Sequence, residues 1–142
     1  MHTIEVGCAI IVKAGKILIA QRKPGTHLGG YWEFPGGKRH DGELLEDCLI
    51  REVREELGIE IHPRKLLGRT QHVYPEKKIV LDFYFCDWIT GRPVKHDCFD
   101  FRWVEPLELR SYRFPPADTD VINELIRKRT HYFRPETIDY RR

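Results

Sequence analysis

Four acidic residues and an arginine stand at fixed spacing around one short segment. Gly37 is followed after five residues by Glu43, then after seven more by Arg51-Glu52-Val53-Arg54-Glu55-Glu56-Leu57-Gly58-Ile59. At 100° per residue on a helix, Glu52, Glu55 and Glu56 span an arc of about 100° on one flank. Their carboxylates are therefore expected to converge on one point. Two glutamates drawn to about 4 Å in a cleft repel by roughly 4 kcal/mol at an effective dielectric of 20. An Arg51–Glu55 pair at i,i+4 offsets only about 0.5 kcal/mol on a surface, too little to hold such a cluster. A hard divalent cation with oxygen ligands, Mg²⁺ or Mn²⁺, would hold it. The competing reading is a solvated acidic helix face. Gly36-Gly37 favours the metal, because two glycines let the backbone approach a ligand and offer the Gly37 carbonyl as another oxygen.

The elements that must position these groups are legible in the hydrophobic pattern. Leu45, Leu49, Val53 and Leu57 recur every four residues, and Gly58 stands at the usual stop, so Leu44–Leu57 is predicted to be a helix. Val6–Val12 is a β-branched buried strand, Ala14-Gly15 a turn, and Lys16–Gln21 its hairpin partner. Pro24–Gly30 is a loop and Trp32–Phe34 a short extended stretch leading into the Pro35-Gly36-Gly37 turn. Strands are expected at 65–74, 78–89 and 101–104, with a helical turn at 106–109. A second helix is expected over 118–129, with Val121, Ile122, Leu125 and Ile126 on one face. Mixed strands and two helices indicate a single α/β layered domain.

Composition excludes several classes. A chain of 142 residues defaults to one domain and buries a core without staples. No apolar run approaches the roughly 20 residues of a membrane span, and the N-terminus lacks a signal-peptide shape, so a cytoplasmic protein without membrane association is expected. A net charge of +2 does not call for a nucleic-acid polymer as partner. Cys8, Cys48, Cys86 and Cys98 form no Cys-x-x-Cys pair, which argues against structural zinc. The first three read as reduced thiols in or near the core, while Cys98, in a polar stretch, has no clear place. The basic segment after residue 131 reads as an extension, 132–142, of the domain formed by 1–131.

At Gly37, Glu43, Arg51, Glu52, Val53, Glu55, Glu56, Gly58 and Ile59 the chain resembles the Nudix hydrolase family, whose signature is G-x5-E-x7-R-E-U-x-E-E-x-G-U with U aliphatic. Ala20-Gln21-Arg22, Gly30-x-Trp32-Glu33-Phe34-x-Gly36-Gly37-Lys38 and Pro116-Ala117-Asp118 resemble its MutT and CTP-pyrophosphohydrolase branch. The resemblance runs from about Glu5 to Ile126. It implies an α/β/α sandwich with a mixed sheet between helices, and hydrolysis of a nucleoside diphosphate linked to another group. In the MutT-like branch a nucleoside triphosphate yields the monophosphate and pyrophosphate. By the same resemblance Gly37, Glu52, Glu55 and Glu56 hold metal, and one of the catalytic glutamates Glu52 and Glu55, Glu52 by preference, accepts the proton of the attacking water, with Arg51 orienting that carboxylate. Glu43 supports the loop or binds metal through water.

Other positions carry two readings each. Asp97, six residues before Trp103, stands where MutT-like relatives have a glutamate; it is a metal ligand or base, or a turn residue. By the resemblance Arg22 matches an arginine that contacts phosphates, though it equally reads as a surface residue at a strand end, and Gly36 and Lys38 are expected to bind substrate. Phe34 stacks on a base or packs in the core. Asp118 stands where MutT has an asparagine that reads the base. Ionised aspartate only accepts hydrogen bonds, which favours donor-bearing edges, cytosine N4, adenine N6 or guanine N1/N2, whereas a purine O6 requires it protonated. It could also simply cap the second helix. The expected substrate is a nucleoside triphosphate, 8-oxo-dGTP or a cytosine nucleotide, handled by a monomer or homodimer. A Nudix enzyme for another substrate and a nucleotide-binding regulator without catalysis are the remaining alternatives.

Overall fold

The computed structural model describes residues 2–133. Its centre is one mixed seven-stranded sheet: β1 (His2–Lys13), β2 (Lys16–Gln21), β3 (Trp32–Glu33), β4 (Gly36–Lys38), β5 (Glu60–Val73), β6 (Lys77–Thr90) and β7 (Asp100–Val104). The order is β3-β2-β1-β6-β5, with β4 paired to β1 and β7 to β2. β1 and β6 run parallel over eleven residue pairs, from His2 opposite Lys77 to Val12 opposite Asp87. The other neighbours pair antiparallel.

Alternation along β1 separates two cores, because successive side chains in a strand point to opposite faces. Ala9 and Ile11 pack with Leu18, Ala20 and Cys86 beneath α1 (Leu45–Leu57), which contributes Leu49, Val53 and Leu57. Cys8 and Ile10 pack on the other face with Ile17, Ile19, Phe83 and Phe85, beneath Val121, Ile122, Leu125 and Ile126 of α2 (Thr119–Arg127). Leu49, Val53 and Leu57 are fully buried; each such side chain contributes about 1.5–3 kcal/mol. The result is the expected sandwich, a mixed sheet between helices.

Three local expectations are corrected, and Cys98, left unplaced by the sequence, is located. The Gly36-Gly37 turn is strand β4, laid against Val6–Cys8 of β1. A Cβ at Gly36 would stand 1.8 Å from the Gly7 carbonyl oxygen, so only glycine permits this approach. β5 begins at Glu60 rather than 65 and accommodates Pro63 beside a register shift. Its other long side is an edge, where proline is tolerated. The second helix is not continuous to 129: a 3₁₀ turn at Pro116–Asp118 precedes α2, and Lys128, at φ −105° and ψ 25°, breaks it from α3 (Arg129–Tyr132). Cys98 is buried in the α1-side core.

All four cysteines are free and buried. Burial pushes Cys48 up to about 11 and Cys86 to about 12, which leaves both as inert thiols. Within the expected extension, Tyr132 stacks against Phe85 and Phe133 is buried in the α2-side core; the remainder, 134–142, lies outside the described residues. Among the described residues no helix is long and apolar enough to cross a membrane.

Candidate active site

The site is built where β4 meets α1. Gly37 faces Glu52 so closely that a Cβ on residue 37 would stand 2.3 Å from the Glu52 carboxyl carbon and 2.5 and 2.6 Å from its oxygens. A side chain there would evict the carboxylate. The helix carries its acidic flank to this strand because Leu49, Val53 and Leu57 are drawn into the core on the adjoining face.

Arg51 is the hub of the charge network. Its Nε donates to Glu43 Oε2 at 2.7 Å and its Nη2 to Glu43 Oε1 at 3.0 Å, a two-pronged pair. Nη1 donates to Glu52 Oε1 at 2.9 Å, and Nη2 also reaches the Lys38 carbonyl at 3.1 Å. The expected Arg51–Glu55 pair is the longest of these, at 3.5 Å, and Glu55 is largely exposed. Glu43 is therefore the principal partner, because its loop approaches the guanidinium edge-on. The Arg51 guanidinium, together with the His40 backbone N–H, holds the Glu43 carboxyl down at about 2.

Glu56 has the opposite environment. It is 8% exposed; Oε1 receives only a 3.4 Å bond from the Gly36 N–H, and Oε2 is buried with no hydrogen-bond partner. Burial, and then the neighbouring carboxylates of Glu33 and Glu52, push it up to about 9. The expected convergence of Glu52, Glu55 and Glu56 is not formed. Among the described residues no three Asp, Glu, His or Cys side chains come together as a metal-holding group. Glu52 and Glu55 instead share Arg51 Nη1, at 2.9 and 3.5 Å, while Glu56 is buried. The donor set nevertheless fits a hard divalent cation: all its atoms are oxygens, and Glu56 Oε2 lacks a partner.

The segment after β6 brings up the remaining carboxylate. Val94 N–H donates to the Leu57 carbonyl at 2.9 Å and Asp97 N–H to the Glu56 carbonyl at 3.1 Å, so this stretch crosses the end of α1. Asp97 itself is exposed and pairs with Lys23 at 3.0 Å. Arg22 donates to the His27 carbonyl at 2.7 Å and to Glu33 Oε2 at 3.1 Å. The side chain of Lys38 is exposed beside Gly37.

Glu33 is the residue that sequence reasoning passed over. Burial raises its pKa despite Arg22, and its charge acts on both Glu56 and Asp118. The only signal for it was its place between Trp32 and Phe34 in the branch-like run. Asp118 is buried and occupies the N-cap position of α2 without a side-chain capping bond, so the capping role is not taken up. Burial, and then Glu33, raise it to about 7. Phe34 is 3% exposed; its ring packs 5.2 Å from Phe114 and 6.1 Å from Phe83, so the core takes up the ring.

A NUDIX domain family model matches residues 7–124, a span that contains α1, the first turns of α2 and every residue of the candidate site. This chain belongs to the Nudix family. Among its Nudix relatives, an 8-oxo-dGTP diphosphatase of Haemophilus influenzae is 37% identical over 131 residues, 92% of this chain and 96% of that protein. A CTP pyrophosphohydrolase of Escherichia coli is 38% identical over 130 residues, 86% of this chain and 90% of that one. An 8-oxo-dGTP diphosphatase of Proteus vulgaris is 44% identical over 72 residues, 51% of this chain and 64% of that protein. The solution structure of the E. coli ORF135 protein superposes with a TM-score of 0.81 at 35% identity, covering 96% of each chain. With the family comes the reaction class, hydrolysis of phosphoric anhydride bonds.

Proposed function

We propose that this Nudix protein is a metal-dependent nucleoside triphosphate pyrophosphohydrolase, converting a triphosphate and water to a monophosphate and pyrophosphate, with 8-oxo-dGTP as substrate. The observation that carries the reading is the buried, unpartnered Glu56 oxygen beside Glu52 and Gly37. Unpartnered buried oxygens are rare and costly unless a ligand satisfies them. The 8-oxo-dGTP diphosphatase of H. influenzae, aligned over nearly its whole length, supports the substrate.

Glu52, Glu55, Glu56 and the Gly37 carbonyl would hold Mg²⁺, with Mn²⁺ as a substitute, and Asp97 adds a carboxylate from the opposite loop. When bound, such an ion neutralises phosphate charge, positions water and lowers its pKa. The chain's own residues do the rest. Arg51 fixes one oxygen of Glu52, and the other is left to accept the proton of the attacking water. Arg22 and Lys38 supply positive charge to the phosphates. Asp118 meets the base, and Phe34 supports that end from within the core.

A second reading, a cytosine nucleotide as substrate, is favoured by Asp118. Near neutral pH its carboxyl is divided between a form that donates to a carbonyl oxygen and a form that only accepts from an amino group. The test is a panel of 8-oxo-dGTP, CTP, dCTP and 5-hydroxy-dCTP with Mg²⁺, at pH 6 and pH 8.5. A dominant kcat/KM for 8-oxo-dGTP supports the first reading and one for CTP or dCTP the second. Absence of turnover of every triphosphate overturns both.

A further inference from the structure

The signature accounts for Glu43, Arg51 and Glu52, but not for what holds Glu43 in place. Residues 40, 41 and 42 are exposed, as is Leu44, so this loop has no apolar anchor of its own. Glu43 closes it locally: its N–H donates to the His40 carbonyl at 3.0 Å, and its Oε1 receives the His40 N–H at 3.1 Å. Those bonds lie within the loop and do not fix it to the sheet.

Arg39 supplies the missing attachment. Its backbone N–H donates to the Glu5 carbonyl of β1 at 2.8 Å, and its Nε donates to the Glu5 carboxylate. From that fixed base Nη1 reaches across the loop to the Glu43 carbonyl at 3.0 Å and the His40 carbonyl at 3.3 Å. One guanidinium thus ties the sheet to both ends of the turn that carries Glu43. Glu43 in turn grips Arg51 with both oxygens, and Arg51 holds Glu52. The planar fork suits this task; a lysine ammonium would not keep the same three directions.

We propose that Arg39, anchored by Glu5, is a positioning residue for Glu52, acting through the Glu43 loop and Arg51. The role rests on Glu52 being the proton acceptor. A surface ion pair of no catalytic consequence would contribute only a little stability. A positioning residue instead changes turnover and the state of the Arg51 guanidinium.

The test compares wild type, Arg39→Ala, Arg39→Lys, Glu43→Gln and the Arg39→Ala/Glu43→Gln double variant, by steady-state kinetics on the triphosphate panel and by the Arg51 Nε–Hε resonance in ¹⁵N NMR. Arg39→Ala is expected to lower kcat about tenfold with KM within about twofold, and Arg39→Lys to restore only part of the loss. Its Arg51 Hε resonance is expected to shift and exchange faster with water. The double variant is expected to lose no more than Glu43→Gln alone, because both act on one chain of bonds. An unchanged Arg51 Hε resonance with unchanged kcat would overturn the proposal, as would losses that multiply in the double variant. If Arg39→Ala does not fold, Glu5→Gln, which weakens the anchor and keeps its shape, serves in its place. An inactive wild type contradicts the proposed function, whereas the Arg51 Hε comparison still decides the role of Arg39.

Discussion

The two regions of the candidate site are held by different forces. Where α1 meets β4, Glu43, Arg51 and Glu52 form a chain of charge-assisted bonds of 2.7–3.0 Å. At the start of α2, Asp118 is buried without a capping bond, and nearby in the same core Phe34 is packed among Phe83 and Phe114. The first region has its charges fixed in place by complementary partners. The second has a carboxyl whose charge is suppressed by burial and by Glu33. Under the proposed function, ion pairing would fix the chemistry, and burial would leave the choice of base adjustable by pH and by single substitutions.

The sharpest way to break this contrast is at Glu52. Glu52→Gln is expected to lower kcat by about 10²–10⁴-fold, the usual contribution of a positioned base, with an unchanged circular-dichroism spectrum. An unchanged kcat would remove Glu52 from the chemistry. Gly37→Ala is expected to cost about 10²-fold, since its Cβ occupies the place of the Glu52 carboxylate and a displacement near 1 Å has that effect. Full activity there would show that the strand and helix separate without penalty.

Asp118→Asn probes the other region. The amide donates at every pH, so kcat/KM for 8-oxo-dGTP relative to CTP should rise roughly 10–100-fold at pH 8.5, where the aspartate is ionised. At pH 6 the difference should shrink. A ratio independent of both pH and substitution would remove Asp118 from base recognition.

The same substitution has a consequence for stability. The folded carboxyl keeps its proton to about 7, whereas the unfolded one loses it near its ordinary 3.8. Between those values the folded state binds more protons, so stability falls as pH rises through the window and the full cost is present above it. Asp118→Asn should therefore be more stable than wild type at pH 8 by on the order of 1–4 kcal/mol, with the gain gone near pH 4. Urea unfolding at the two pH values checks the sign.

Much of this was legible in the sequence, and the reason is physical. The Gly37–Ile59 spacing encodes one helix with an apolar stripe and an acidic flank; the helix and stripe are found as read, while the flank divides into a buried Glu56 and an exposed Glu55. Continuous β-branched, apolar runs disclosed β1 and β2, because both of their faces meet a core. Strand β4 was not legible: glycines are read as turns, and only the contact with Gly7 reveals why they form a strand. Nor was the partner of Arg51. Spacing along a helix suggested Glu55, but Glu43 arrives from a loop whose path depends on Arg39 and Glu5. Glu33 acts on Asp118 because β3 and the start of α2 are brought together in three dimensions.

The central claim concerns the bond that is broken. ³¹P NMR of 8-oxo-dGTP, CTP and dCTP incubated with the protein and Mg²⁺ tests it most directly. The account predicts a nucleoside monophosphate and pyrophosphate in equal amounts, with turnover abolished by EDTA and restored by Mg²⁺. Release of orthophosphate with a diphosphate, turnover indifferent to EDTA, or no reaction with any of the three would contradict it.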